Sequence, residues 1–166
     1  AHVAERVDVL RGLVEEILAL QKDERFRALG LAHRGWLRFA GRLMPGGTLV
    51  RRETELVILR VAHLRSCDYE FEHHVRLGAR AGVSSAEVDR VGEGPSAQGW
   101  SERERSMLAA VDALHHDGDL DDACWRALSA QLDEREIIEL VMLVGHYEML
   151  ATTITALRIQ PDRLRG

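Results

Sequence analysis

Apolar residues recur at helical spacing along nearly the whole chain. Val3, Val7, Leu10, Val14, Ile17 and Leu18 lie three or four apart with acids and bases between them, which predicts an amphipathic helix over residues 3–20. Phe26, Leu29, Ala32, Trp36, Phe39 and Leu43 repeat the pattern over 26–44, and Pro45-Gly46-Gly47 stops it. Trp36 and Phe39 read as core aromatics or as one wall of a pocket. The next helix, with Thr48 as its expected cap, is apolar almost all round through Leu56, Ile58, Leu59, Val61, Ala62 and Leu64, so it is expected to be buried.

Later boundaries are written in capping residues. Ser84 with Glu87, Ser101 with Glu104, and Asp133 with Glu136 each give the spacing in which two side chains satisfy the first free amides of a helix. They predict helices from Ser84 to about Val91, from Ser101 through Leu114, and over 134–157, with a short one over 122–131. The last is hydrophobic round most of its circumference, and Gly145 would let another backbone approach. No stretch shows the alternation of a strand. The reading is all-α, six to eight helices in a single domain spanning 1–166, the 3–20 helix packing onto the rest.

A length of 166 residues suits one domain with a sizeable core. The net charge of −5 argues against nucleic acid and anionic membrane surfaces as partners. A small-molecule or protein partner is expected instead. Apolar runs look too short for a membrane span and no leader pattern opens the chain, so a cytoplasmic protein is expected. Cys67 and Cys124 match neither a disulfide framework nor a zinc spacing.

The candidate chemistry concentrates between Arg51 and Ala81. Cys67, Glu70 and His74 stand at i, i+3 and i+7, one face of a helix. Glu55 belongs to the preceding helix. In one straight helix it would lie roughly 28 Å from His74, at about 1.5 Å per residue. A turn at Ser66 would bring the two nearly level. Ser66 is then the expected N-cap of the second helix, with Cys67 in the first turn, where the helix dipole favours a thiolate. A carboxylate on the apolar helix must be paired or protonated, which separates Glu55 from Glu53, expected to face solvent. The competing reading makes Glu55 a structural partner of Arg60 or another arginine.

Glu55, Cys67, Glu70 and His74, within ELVILRVAHLRSCDYEFEHH, resemble the motif of the carboxymuconolactone decarboxylase and alkylhydroperoxidase D-like superfamily. In its peroxidase branch a Cys-x-x-Cys pair opens the helix. Here Glu70 takes the second cysteine's place, and Tyr69-Glu70-Phe71 before His74 is similar to the decarboxylase-type branch, whose enzymes need no cofactor. The resemblance implies the helical fold of that superfamily and a homo-oligomer, trimer or hexamer.

Several chemistries follow. The first is cofactor-independent acid/base catalysis on a small carboxylated lactone or β-keto acid, with His74 as general acid/base, Glu70 as its orienting or relay partner, Glu55 as a second relay carboxylate and Tyr69 as a donor to an oxyanion. The second is peroxidase-like thiol chemistry at Cys67, against which stands the missing resolving cysteine. A third is metal binding: Glu70-x-x-His73 and Asp112-x-x-His115 have the spacing of carboxylate bundles, with Glu55 and Glu139 as further ligands. The doublets His73-His74 and His115-His116 read more simply as one buried and one exposed histidine each. A non-catalytic helical oligomer completes the set.

Overall fold

The computed structural model describes residues 31–43 and 47–159. The helix expected over 3–20, the start of the one expected over 26–44, and the Pro45-Gly46 stop lie outside them. The chain divides into two compact units, one of residues 1–47 with 159–166 and one of Thr48–Arg158. Of the first, the described part is helix α1, Leu31–Leu43, in which Ala40 is buried, Trp36 half-buried and Phe39 exposed.

The second unit holds six helices: α2 (Arg51–Leu64), α3 (Asp68–Arg80), α4 (Ser85–Glu93), α5 (Glu102–His116), α6 (Asp122–Ser129) and α7 (Glu134–Leu157). Among the described residues there is no strand. α2 is the axis, because α3, α4, α5 and α7 all pack on it. Its apolar circumference leaves no face for water, and every residue from Glu53 to Ala62 is buried. Leu56 and Leu59 of α2 enter one core cluster with Val83, Val91, Trp100 and Leu108.

An all-buried helix that carries charges must have each charge answered by a neighbour. Arg60 donates to the Asp112 carboxylate and to the Val91 and Gly92 carbonyls. Glu53, expected in solvent, instead accepts from Arg103, which also reaches Glu136 on α7. Glu53 begins the buried run of α2, so its carboxylate needs an ionic partner there. Arg52 donates to Glu87 and Glu104, the carboxylates that also close the capping boxes of α4 and α5. All three expected capping boxes form.

Two caps differ from expectation. Val50, with no side-chain hydrogen bond, is the N-cap of α2. Thr48 sits too far back and instead gives its amide and hydroxyl to Glu139 of α7. Ser66 is not the N-cap of α3; that position is Cys67. Ser66 has φ +51° and ends α2: its amide donates to the His63 carbonyl while that of Cys67 donates to Ala62. This is a Schellman turn with a serine in the left-handed position. The same pair of bonds ends α3, from Gly82 to Ala79 and from Val83 to Gly78, there with glycine at φ +87°.

α7, at 24 residues, is long and apolar enough to cross a membrane, contrary to the expectation that no run is, although half of that stretch is buried inside the protein. A core helix passes the same test. Ile138, Met142 and Met149 form an exposed apolar stripe along it.

Candidate active site

The reversal at Ser66 makes α2 and α3 an antiparallel hairpin and sets Glu55 level with His74. Glu55 Oε2 lies 2.8 Å from His74 Nδ1, and both residues are fully buried. A hydrogen bond between two such groups, shut off from water, is stronger than the same contact at a surface. Nineteen residues of sequence separate the partners. Nδ1 thus meets the carboxylate of the neighbouring helix, while Glu70, expected as the orienting partner, stands one turn before His74 on α3. The other oxygen of Glu55 meets the guanidinium of Arg51, four residues earlier on α2. The structural reading of Glu55, as an arginine's partner, is therefore realised with Arg51, while Arg60 pairs with Asp112.

α7 brings two side chains to the couple. Tyr147 is buried, and its ring stands 5.2 Å from that of His74 at 87°. His146, also buried, meets the same tyrosine ring at 5.1 Å and 88°. Burial, with His74 nearby as the lesser cause, pulls the His146 imidazole down to about 4. That ring is neutral at pH 7. His73 stands edge-on to His74 at 5.4 Å and is itself buried, so this doublet does not divide into one inner and one outer histidine. His115 and His116 do divide, half-buried and exposed.

Cys67, Tyr69 and Glu70 are all buried at the start of α3. Burial pushes the Cys67 thiol up, opposite to the expected effect of the helix dipole. The Glu70 amide and the Thr155 hydroxyl bond to the sulfur and oppose the rise, while the Glu70 carboxylate adds to it. Desolvation wins because the thiol is nearly closed off from water. Cys67 and Cys124 are both free thiols.

Of the candidate metal ligands, several are engaged elsewhere. Asp112 holds Arg60, His115 Nδ1 lies 2.6 Å from Glu148, and Glu139 receives Thr48 and the Leu49 amide. Among the described residues no group of three or more His, Cys, Asp or Glu is arranged to hold a metal ion.

Arg51, His146 and Tyr147 were not singled out by motif spacing. Their signals were faint: a cation four residues before Glu55, and a lone imidazole and phenol in an otherwise apolar stretch of α7.

Among the described residues every regular element is a helix, and the fold they build is an AhpD-like helical fold. The sequence profile of the carboxymuconolactone decarboxylase family matches residues 31–113, half of the chain, and the chain belongs to that family. No curated protein matches it in sequence. Among solved structures it is similar to a protein of unknown function from Agrobacterium tumefaciens, a candidate AhpD antioxidant defence protein, with TM-score 0.74, 19% identity, and coverage of 80% of this chain and 91% of that one. An uncharacterized peroxidase-related protein from Silicibacter sp. TM1040 superposes with TM-score 0.71 at 16% identity, covering 78% and 70%. The debrominase Bmp8 gives TM-score 0.69 at 16% identity, covering 95% and 86%. At such identities the shared property is the fold.

Proposed function

We propose that the protein is a cofactor-independent acid/base enzyme of decarboxylase type, acting on a small carboxylated lactone or β-keto acid. The buried 2.8 Å contact between Glu55 and His74 carries this reading. A carboxylate at Nδ1 fixes the imidazole's orientation and favours hydrogen on that nitrogen, so Nε2 becomes the atom that exchanges a proton with substrate. When the substrate's carboxylate leaves as carbon dioxide, the C–C bonding pair stays behind as an enolate. Carbon then takes a proton from His74, which water replenishes. Glu55 orients, while Glu70 and Tyr69 are polar side chains buried at the start of the same helix α3.

His74→Gln is expected to reduce turnover of a carboxylated lactone by about 10²- to 10⁴-fold, the usual worth of a positioned acid/base group. Cys67→Ser should stay within a few-fold of the parent. A Cys67→Ser variant that is dead towards the lactone, or an active His74→Gln, rejects the scheme. Thiol chemistry at Cys67 is the second reading, supported by relatives named peroxidase-related and by a debrominase crystallised as a cysteine-to-alanine variant with 2,3,4-tribromopyrrole. It predicts the converse: peroxide turnover abolished in Cys67→Ser. The raised thiol weighs against it, since the thiolate is the nucleophile.

The expected homo-oligomer is part of the same proposal, with the exposed Ile138, Met142 and Met149 stripe of α7 as the face a second copy covers. Met142→Glu, which puts a charge on that face, should lower the mass measured by sedimentation. An unchanged mass would move the interface elsewhere.

A further inference from the structure

We propose that Arg51 is a positioning residue of the site, the fixed cation that keeps Glu55 a carboxylate while Glu55 holds His74. The proposal rests on the reading of His74 as the proton-exchanging group and extends it outward by one residue. Glu55 has two oxygens and both are engaged, Oε1 by the Arg51 guanidinium and Oε2 by His74 Nδ1. The carboxylate itself is wholly buried, whereas the Arg51 side chain keeps 14% of its surface in solvent. The chain Arg51–Glu55–His74 therefore runs from the margin of the unit to its interior. An arginine stays charged at any working pH, so the inner carboxylate always faces a cation on one side. With Glu55 as the anion, the hydrogen of the contact belongs on Nδ1.

Helix energetics alone do not account for this pair. Arg51 is the first residue of α2, where the helix dipole disfavours a cation, and the order arginine then glutamate at i, i+4 is the weaker one. A residue chosen only to begin a helix would be acidic or a capping side chain. A local rule broken beside a buried Glu–His couple is what a functional constraint leaves behind.

Two spectroscopic readouts on the full chain test the assignment without needing a substrate. The Nδ1-bound proton of His74 should give a downfield resonance in the parent protein, lost in His74→Gln and in Glu55→Gln. Isotope-edited infrared spectra, assigned with Glu55→Gln, report whether Glu55 is carboxylate or carboxylic acid. In Arg51→Gln the carboxylate band is expected to give way to a protonated carbonyl band, and the downfield proton to exchange with water about tenfold faster or more, as a charge-assisted contact is lost. Arg51→Lys should keep the carboxylate band but exchange faster than the parent, since a point charge lacks the planar fork. Arg51→Met, which also removes the charge, carries the same test if Arg51→Gln fails to fold. Spectra of Arg51→Gln, or of Arg51→Met in its place, identical to the parent overturn the proposal. A downfield proton that is absent from the parent, or survives Glu55→Gln, overturns the Glu55–His74 couple and the proposed function with it. One that depends on Glu55 and ignores Arg51 removes only the role of Arg51.

Discussion

Ser66 holds a backbone conformation that costs an ordinary L-residue about 1–2 kcal/mol, and it does so where the hairpin of the site reverses. The identical turn at the end of α3 uses Gly82. Ser66 is exposed and gives no side-chain cap to α3, so its hydroxyl does not explain the choice. Ser66→Gly is expected to stabilise the protein by about 0.5–1 kcal/mol, part of the relieved strain being offset by the freer unfolded chain. Chemical denaturation would show it as a higher midpoint at unchanged slope. A lower midpoint would mean that the serine is held by something stronger than the turn. At this scale the sequence was half legible. The need for a reversal near residue 66 followed from Glu55 and His74 having to meet, and the contact at 2.8 Å bears that out. Which residue takes the left-handed position did not follow, because serine is a frequent N-cap and a rare C′ residue, so its identity pointed to the wrong helix.

The helices of the second unit are tied to α2 by charges as much as by apolar contact. Arg52, 28% exposed, binds the Gly82 carbonyl, Glu87 of α4 and Glu104 of α5, so one guanidinium fastens two helix starts. Each carboxylate meanwhile closes its own capping box. Arg52→Met should cost about 1–3 kcal/mol, the worth of charge-assisted bonds at a half-buried position, and Arg52→Lys should recover only part because the ammonium cannot fork. Urea denaturation of the two variants gives the comparison; equal stabilities would show the fork to be irrelevant. Such ties were invisible in the sequence. Capping boxes are local and were found at all three places, whereas the partner of Arg52 lies 35 residues away, and no spacing rule selects Glu87 from the other acids. The same limit hid His146 and Tyr147: a pattern locates the apolar helix, but only its packing on α2 says which of its side chains meets His74.

Acid resistance belongs to the whole unit, since it sums over groups on different helices. His146 on α7 is pulled from its ordinary 6.5 to about 4, and Glu87 on α4 from 4.5 to about 2 by the Arg52 hydrogen bond. Both values are depressed on folding, so in both cases the unfolded chain takes up the proton first as pH falls. The His146 contribution is therefore complete above pH 6.5 and is lost between 6.5 and 4. For a ring so buried it is on the order of 3 kcal/mol. The Glu87 contribution is complete above 4.5 and lost between 4.5 and 2. That group is partly solvated, which reduces its share to about 1–2 kcal/mol. Stability is thus expected to fall in two successive windows, the first the larger. His146→Phe removes the imidazole and should flatten the dependence of the urea midpoint between pH 6.5 and 4, leaving the lower window intact. Glu87→Gln should do the reverse. Because the two residues stand on different helices of one cooperative unit, the double variant should lose both slopes additively. A steep fall above pH 4 that persists in His146→Phe would assign the loss to other groups and leave His146 as packing against Tyr147.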